Sequence, residues 1–191
     1  MADVSDLLVV AATARELAPA DGWRTLVCGV GPVEAAASTA AAIASTRPAL
    51  VLHVGIVGAR RTSGLVPPSL VIGTAAHYTD LAIPPSWAPS RLTPDDDLVA
   101  AAQRALPDAV LRAIGTSARV GGTTADVEVE AMEGFAVLRA AQRAGVPALE
   151  VRAISNAIEE TDRAHWAFDT AFAAITAATP RLVAELRRCV S

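Results

Sequence analysis

The sequence predicts a three-layer α/β domain, and three observations carry that prediction. Short runs that are apolar at nearly every position, as in strands buried on both faces, recur along the chain. Between them lie alanine-rich segments whose apolar residues return every three or four positions, the helical period. The two periods exchange without an internal repeat or low-complexity linker, so the 191 residues read as one domain, 1–191.

The first strand is expected at residues 7–12 (LLVVAA), and a turn or helix begins at Thr13. Glu16 then lies near the carboxyl end of that strand; on pattern alone it is a solvent-facing acid of a first helical turn. Residues 25–30 read as a second strand running into Gly29-Val30-Gly31-Pro32, with a helix over 33–45. That connection is tight, and proline suits the first helical turn. It lacks both the dinucleotide glycine pattern and the phosphate-loop lysine, so no nicotinamide or nucleotide triphosphate cofactor is expected.

A third strand at 49–54 ends in Gly55-Ile56-Val57-Gly58, where paired glycines let a ligand approach the backbone near Ile56. His53 sits in the apolar run as an interior histidine. Arg60 and Arg61 follow, either as surface charges or as binders of an anionic group. Residues 70–76 make another strand, and Pro84, Pro85, Trp87 and Pro89 mark a loop. Thr93 caps a helix running to about Leu106, with Pro94 in its first turn and Asp95, Asp96 and Asp97 favoured by the dipole rather than by a metal.

Residues 111–117 form a strand candidate, followed by Gly121-Gly122-Thr123-Thr124 and the alternating Val127-Glu128-Val129-Glu130. A helix over 132–144 rests on Met132, Ala136, Val137, Ala140, Ala141 and Ala144, and Gly145-Val146-Pro147 stops it. Glu133 thereby stands at a helix start. The next strand, 146–155, is apolar except for Glu150 and Arg152, which alternate on one face, either at an edge or aimed into a polar site. Asn156 comes just past it. Residues 157–165 loop over the sheet end, where Arg163, His165 and Trp166 are placed to close or line a pocket. A final helix covers 167–190, with a possible break at Thr179-Pro180.

A net charge of −4 and few aromatic residues exclude a general nucleic-acid binder, which needs a positive track and stacking platforms. Cys28 and Cys189 form no ligand motif and read as small buried apolar residues of a reduced, cytoplasmic protein. No targeting or membrane-spanning segment is evident.

LVVAATARE, GVGP, HVGIVG, AHYTDL, EAMEGFAV and GVPALEVRAISNAIEETDRAHW, in that order and spacing, resemble the purine nucleoside phosphorylase and nucleosidase superfamily. EAMEGF together with ISN and DR..W is similar to its futalosine-hydrolysing branch. The resemblance implies a nucleoside phosphorylase-like fold with a mixed central sheet. It implies hydrolysis of futalosine to hypoxanthine and dehypoxanthine futalosine in menaquinone biosynthesis, with no metal or organic cofactor, a small-molecule nucleoside as substrate and a homo-oligomer as the assembly. Carried over residue by residue, Glu16 matches the acid that activates water. Glu133 matches the ribose-binding acid, with Met132 against the sugar, and Asn156 stands at the purine-recognition position where methylthioadenosine nucleosidases use aspartate. A substrate carboxylate calls for an arginine, with Arg60, Arg61 and Arg163 as candidates, and Phe135 or Trp166 for an aromatic part.

Two departures stand out: the interval 117–130 is compressed, and Ala12-Thr13-Ala14-Arg15 replaces the glycine-aspartate phosphate signature of phosphorylases. The second favours water as nucleophile. Action on methylthioadenosine or inosine, and non-catalytic nucleoside binding, remain alternatives.

Overall fold

Five consecutive apolar residues make Leu7–Ala11 a strand (β1) with both faces buried. Leu7, Val9 and Ala11 enter one core and Leu8 and Val10 another, so this strand lies at the centre of three layers. The computed structural model describes residues 6–120 and 127–190. After β1 come β2 (Arg24–Val27), α1 (Pro32–Thr46), β3 (Leu50–Ala59), β4 (Leu70–Tyr78), β5 (Arg91–Leu92) and α2 (Asp96–Ala105). Then follow β6 (Val110–Thr116), β7 (Val129–Ala131), α3 (Gly134–Arg143), β8 (Ala148–Ala157) and α4 (Phe168–Leu186).

The sheet is mixed. β1 pairs in parallel with β2 and β3, whereas β4 is antiparallel to β5 and β8, and β3 to β7. Helices α2 and α4 cover one face through Leu98, Ala101, Ile175 and Leu182; α1 and α3 cover the other through Ala35, Ile43, Val137 and Ala141. The sheet also closes on itself, which the sequence pattern does not reveal. β8 joins β3 to β4, and β7 joins β6 to β3, so β3, β8, β4, β6 and β7 form a ring. Val57, Val71, Ile114, Val129 and Ile154 from these strands pack together.

Several expected boundaries move for identifiable reasons. β3 does not end at Val54 but runs through Gly55–Gly58 to Ala59, because β8 pairs with it along that whole length. Asn156 is therefore inside β8, not beyond it. Glu150 and Arg152 are not on an edge, since β8 has a partner on each side. Asp95, not Thr93, caps α2, and Pro94 precedes the helix. Pro180 does not break α4, which passes through it. β4 includes His77 and Tyr78, and β5, two residues long, has too little sequence to announce itself. Cys28 is buried as expected, but Cys189 is exposed. Gly121-Gly122-Thr123-Thr124 lie outside the described residues.

Candidate active site

Three segments distant in sequence meet at the carboxyl ends of β1, β3 and β8, around a cleft of about 370 Å³. The first follows β1, where Thr13 opens a single 3-10 turn over Ala14–Glu16. The Thr13 backbone N–H and Oγ1 both donate to Oε2 of Glu16 at 2.8 Å, and the Ile56 N–H donates to its Oε1 at 3.1 Å. These bonds turn the side chain inward. Glu16 is 3 % exposed, in contrast to the solvent-facing position suggested by pattern alone.

The second is the start of α3. Glu133 caps the helix, its carbonyl accepting from Val137, while the Phe135 N–H donates to Oγ1 of Thr116 at 2.7 Å. Oε1 of Glu133 accepts from the Gly31 N–H at 3.1 Å, across from the start of α1. Gly31 reaches that position at φ 93°, open to glycine but strained for other residues. A backbone N–H at the α1 terminus, the kind of donor an anionic ligand takes, is thus held by the protein's own carboxylate.

The third is a bulge in β8. Val57 pairs with Ile154 but Gly58 with Asn156, leaving Ser155 as the extra residue. A bulge re-aims side chains, and both Ser155 and Asn156 consequently line the cleft. Ser155 Oγ donates to Asn156 Oδ1 at 2.7 Å, and Asn156 Nδ2 donates to the Ala157 carbonyl at 2.8 Å. The amide is oriented by its neighbours, with a second N–H on Nδ2 still to give.

Of the residues singled out from sequence, Glu16, Glu133 and Asn156 come together here. Ile56, Met132, Arg163 and Trp166 line the same cleft. Two do not. Phe135 points into the α1/α3 core, its ring 5.4 Å from that of Tyr78. Arg60 is outside the lining, its Nε donating to the Val127 carbonyl at 2.9 Å. Arg61 is also outside, and lies 3.7 Å from Glu160.

Sequence reasoning missed three contributors and left a fourth between two readings. Phe168 and Phe172 stack with centroids 6.0 Å apart and, with Trp166, give the cleft an aromatic wall. Arg119, on the turn after β6, is an exposed cation at the cleft. Nothing in its local sequence marks it, because the turn is placed by Asp80, which accepts from Ser117 Oγ and the Ala118 N–H. Arg152 is the fourth. It is wholly buried beneath the acids, with Nη2 3.5 Å from Oε2 of Glu133 and Nε donating to Glu150 at 2.8 Å.

The buried charge is unbalanced: Glu16, Glu133 and Glu150 surround a single guanidinium. Burial, only partly offset by Arg152, raises the pKa of Glu150, while the surrounding carboxylates raise that of Arg152. Burial and then the guanidinium hold His53 well below its ordinary value of 6.5, so it is a neutral interior histidine, as expected from sequence. Burial and Glu133 push the Cys28 thiol up to about 11, which leaves it an apolar residue rather than a nucleophile.

The His53 shift has a consequence for folding. Below pH 6.5 the unfolded chain protonates this histidine and the folded one does not, so its contribution to stability is lost as pH falls towards the depressed folded value. Glu150 acts in the opposite sense, since between 4.5 and its raised value the folded state binds the extra proton. Urea unfolding between pH 6.5 and 5 is expected to show a shallower acid loss in His53→Phe than in the parent. Identical slopes would mean that His53 is charged in the fold.

Comparison with known proteins places these features in context. The family model described as the phosphorylase superfamily matches residues 24–191. A futalosine hydrolase from Streptomyces coelicolor is 38% identical over 189 residues, covering 85% of this chain and 79% of that protein. Among solved structures, a 5'-methylthioadenosine/S-adenosylhomocysteine nucleosidase from Colwellia psychrerythraea in complex with adenine superposes with a TM-score of 0.81 at 19% identity, covering 94% and 95% of the two chains. The futalosine hydrolase of Helicobacter pylori gives 0.81 at 15% identity, covering 97% and 98%. At these identities the structural matches speak to the fold.

Proposed function

The chain belongs to the phosphorylase superfamily, and from that premise we propose that it is a purine nucleosidase that cleaves the N-glycosidic bond of futalosine with water. The products are hypoxanthine and dehypoxanthine futalosine, in menaquinone biosynthesis. The observation that carries the reading is the convergence of Glu16, Glu133 and Asn156 on one cleft. The 38% identity to a futalosine hydrolase supports the choice of nucleoside.

Departure of the purine builds positive charge on the sugar. Glu133, gripping the ribose hydroxyls with Met132 against the ring, attracts that charge more strongly as it develops. Glu16 orients the attacking water and accepts its proton. Asn156 donates its remaining N–H to N7 or O6 and stabilises the departing 6-oxopurine anion. The Gly31 N–H already engaged by Glu133 supports water rather than phosphate as nucleophile.

Incubation with futalosine in phosphate-free buffer, with inosine and methylthioadenosine alongside, tests this. Selective release of hypoxanthine from futalosine is expected; release that requires phosphate would make the enzyme a phosphorylase, and binding without release a nucleoside-binding protein. Base choice rests on Asn156, so Asn156→Asp is expected to shift the ratio of kcat/KM from hypoxanthine towards adenine nucleosides. An unchanged ratio would remove the amide from base recognition.

The aromatic wall suits the aromatic part of futalosine, and its carboxylate falls to Arg119 and Arg163, the two exposed arginines of the lining. Replacing both with alanine is expected to raise KM for futalosine about 10-fold or more, with little change for inosine, which has no carboxylate. Equal effects on both nucleosides would place the arginines outside recognition.

A homo-oligomer and a cytoplasmic location belong to the same proposal. Exposed Val30 and Val33 beside the cleft offer an apolar edge for a second copy, and among the described residues no helix is long and apolar enough to cross a membrane.

A further inference from the structure

The two cleft acids leave most of the buried charge beneath them without a role. β3 and β8 run in parallel register with His53 opposite Glu150 and Gly55 opposite Arg152. Glu150 and Arg152 are two apart in a strand, so they share a face, here the one that α3 covers. His53, Glu150 and Arg152 are each at most 1 % exposed.

The guanidinium is held on two sides. On one, Nε donates to Glu150 Oε1 at 2.8 Å, and Nη2 lies 3.2 and 3.1 Å from the two ring nitrogens of His53. On the other, Nη2 is 3.5 Å from Glu133 Oε2 and Nη1 donates to the Ile56 carbonyl at 3.4 Å. The Ile56 N–H is the donor to Glu16. Arg152 therefore links the two acids of the cleft from behind without lining it.

Two glycines make the space. A Cβ at Gly55 would overlap Arg152 Nη1 and Glu16 Oε1, and one at Gly134 would overlap the Glu150 carboxyl group. Glu150 Oε2 is buried with no hydrogen-bond partner among the described residues. Buried ion pairs are commonly no more stabilising than apolar side chains of the same size. A cluster that leaves an oxygen unsatisfied is thus poorly explained by stability alone.

We propose that His53 and Glu150 are positioning residues that clamp the Arg152 guanidinium, so that it holds Glu133 directly, and Glu16 through the Ile56 backbone, in register for N-glycosidic hydrolysis. The inference rests on the nucleosidase reading. Its chemistry is consistent throughout: a neutral His53 brings no second positive charge to the guanidinium, and the surrounding carboxylates outweigh burial and keep Arg152 cationic.

Three variants test it. His53→Phe keeps the ring and loses the acceptor, Glu150→Gln keeps an oxygen for Nε and loses the charge, and Glu150→Leu loses both. For futalosine hydrolysis by His53→Phe and Glu150→Leu, kcat is expected to fall about 10- to 100-fold with KM within about 3-fold. Glu150→Gln is expected to recover most of the rate. A purely structural role would instead lower the melting temperature at unchanged kcat, and folded His53→Phe turning over at the parent rate would overturn the clamp. If the parent protein leaves futalosine intact, the reaction reading fails, and the clamp is judged separately by NMR of the substrate-free protein. The Arg152 Nε–H signal is expected to exchange slowly in the parent and in Glu150→Gln but rapidly in Glu150→Leu, which removes its acceptor, and the Nη–H signals, slow in the parent, are expected to exchange rapidly in His53→Phe. Equal protection in all four proteins would overturn it.

Discussion

Glu133→Gln is expected to lower kcat/KM for futalosine by about 100- to 1,000-fold, the scale on which a preorganised electrostatic contact to a transition state is lost. The carboxylate is shared between the Gly31 N–H on Oε1 and the Arg152 guanidinium near Oε2. An amide can keep its oxygen on only one of them. With oxygen towards Gly31, the NH2 group meets the guanidinium donor to donor; with oxygen towards Arg152, it meets the Gly31 N–H. Either way the negative charge facing the sugar is gone. Glu133→Asp keeps the charge but retracts it by one methylene, so its loss is expected to be intermediate. Steady-state rates on the three proteins check this, and Glu133→Gln within about 3-fold of the parent would remove Glu133 from transition-state stabilisation.

The layers were legible because local pattern dictates them. The apolar run of β1 can be satisfied only by cores on both sides, and the stop at Gly145 marks the end of α3, with Gly145 at φ 69°. The ring closure was not legible, because it depends on which strands β8 pairs with, and pairing leaves no mark in β8's own residues. Nor was the bulge, since Ser155 becomes the extra residue only when β3 is laid beside it.

The candidate site divides in the same way. Glu133 and Asn156 lie beside recognisable boundaries, a helix start and a strand's carboxyl end. Arg152 gave a partial signal, as a charge alternating with Glu150 in an apolar strand, and its partners supply the reason: polar residues in an interior strand must answer one another. Phe135 was misplaced because an aromatic residue's place in a motif does not give its direction. In the first turn of α3 its ring packs near Tyr78, not in the cleft. Arg60 and Arg119 show the limit of reading arginines from sequence, since their reach depends on how a turn is pinned, by Val127 in one case and Asp80 in the other.

Glu16→Gln is expected to have the largest effect on the chemical step, a fall in kcat of about 100- to 10,000-fold, as when a general base is removed. Three donors converge on this carboxylate, the Thr13 N–H and hydroxyl on Oε2 and the Ile56 N–H on Oε1. An ionised carboxylate has about four acceptor positions. The protein fills three, and the one that remains, on Oε1, is available to a water in the cleft. An amide has two acceptor positions on its single oxygen, so glutamine must set its NH2 against either Thr13 or Ile56 and cannot also take a proton from water. The loss belongs in kcat, because base and sugar are held by Asn156 and Glu133. Hypoxanthine should therefore bind Glu16→Gln with the parent's affinity by calorimetry. Retention of the parent rate would assign water activation to another group; loss of hypoxanthine binding together with the rate would mean that Glu16 shapes the cleft rather than acting on water.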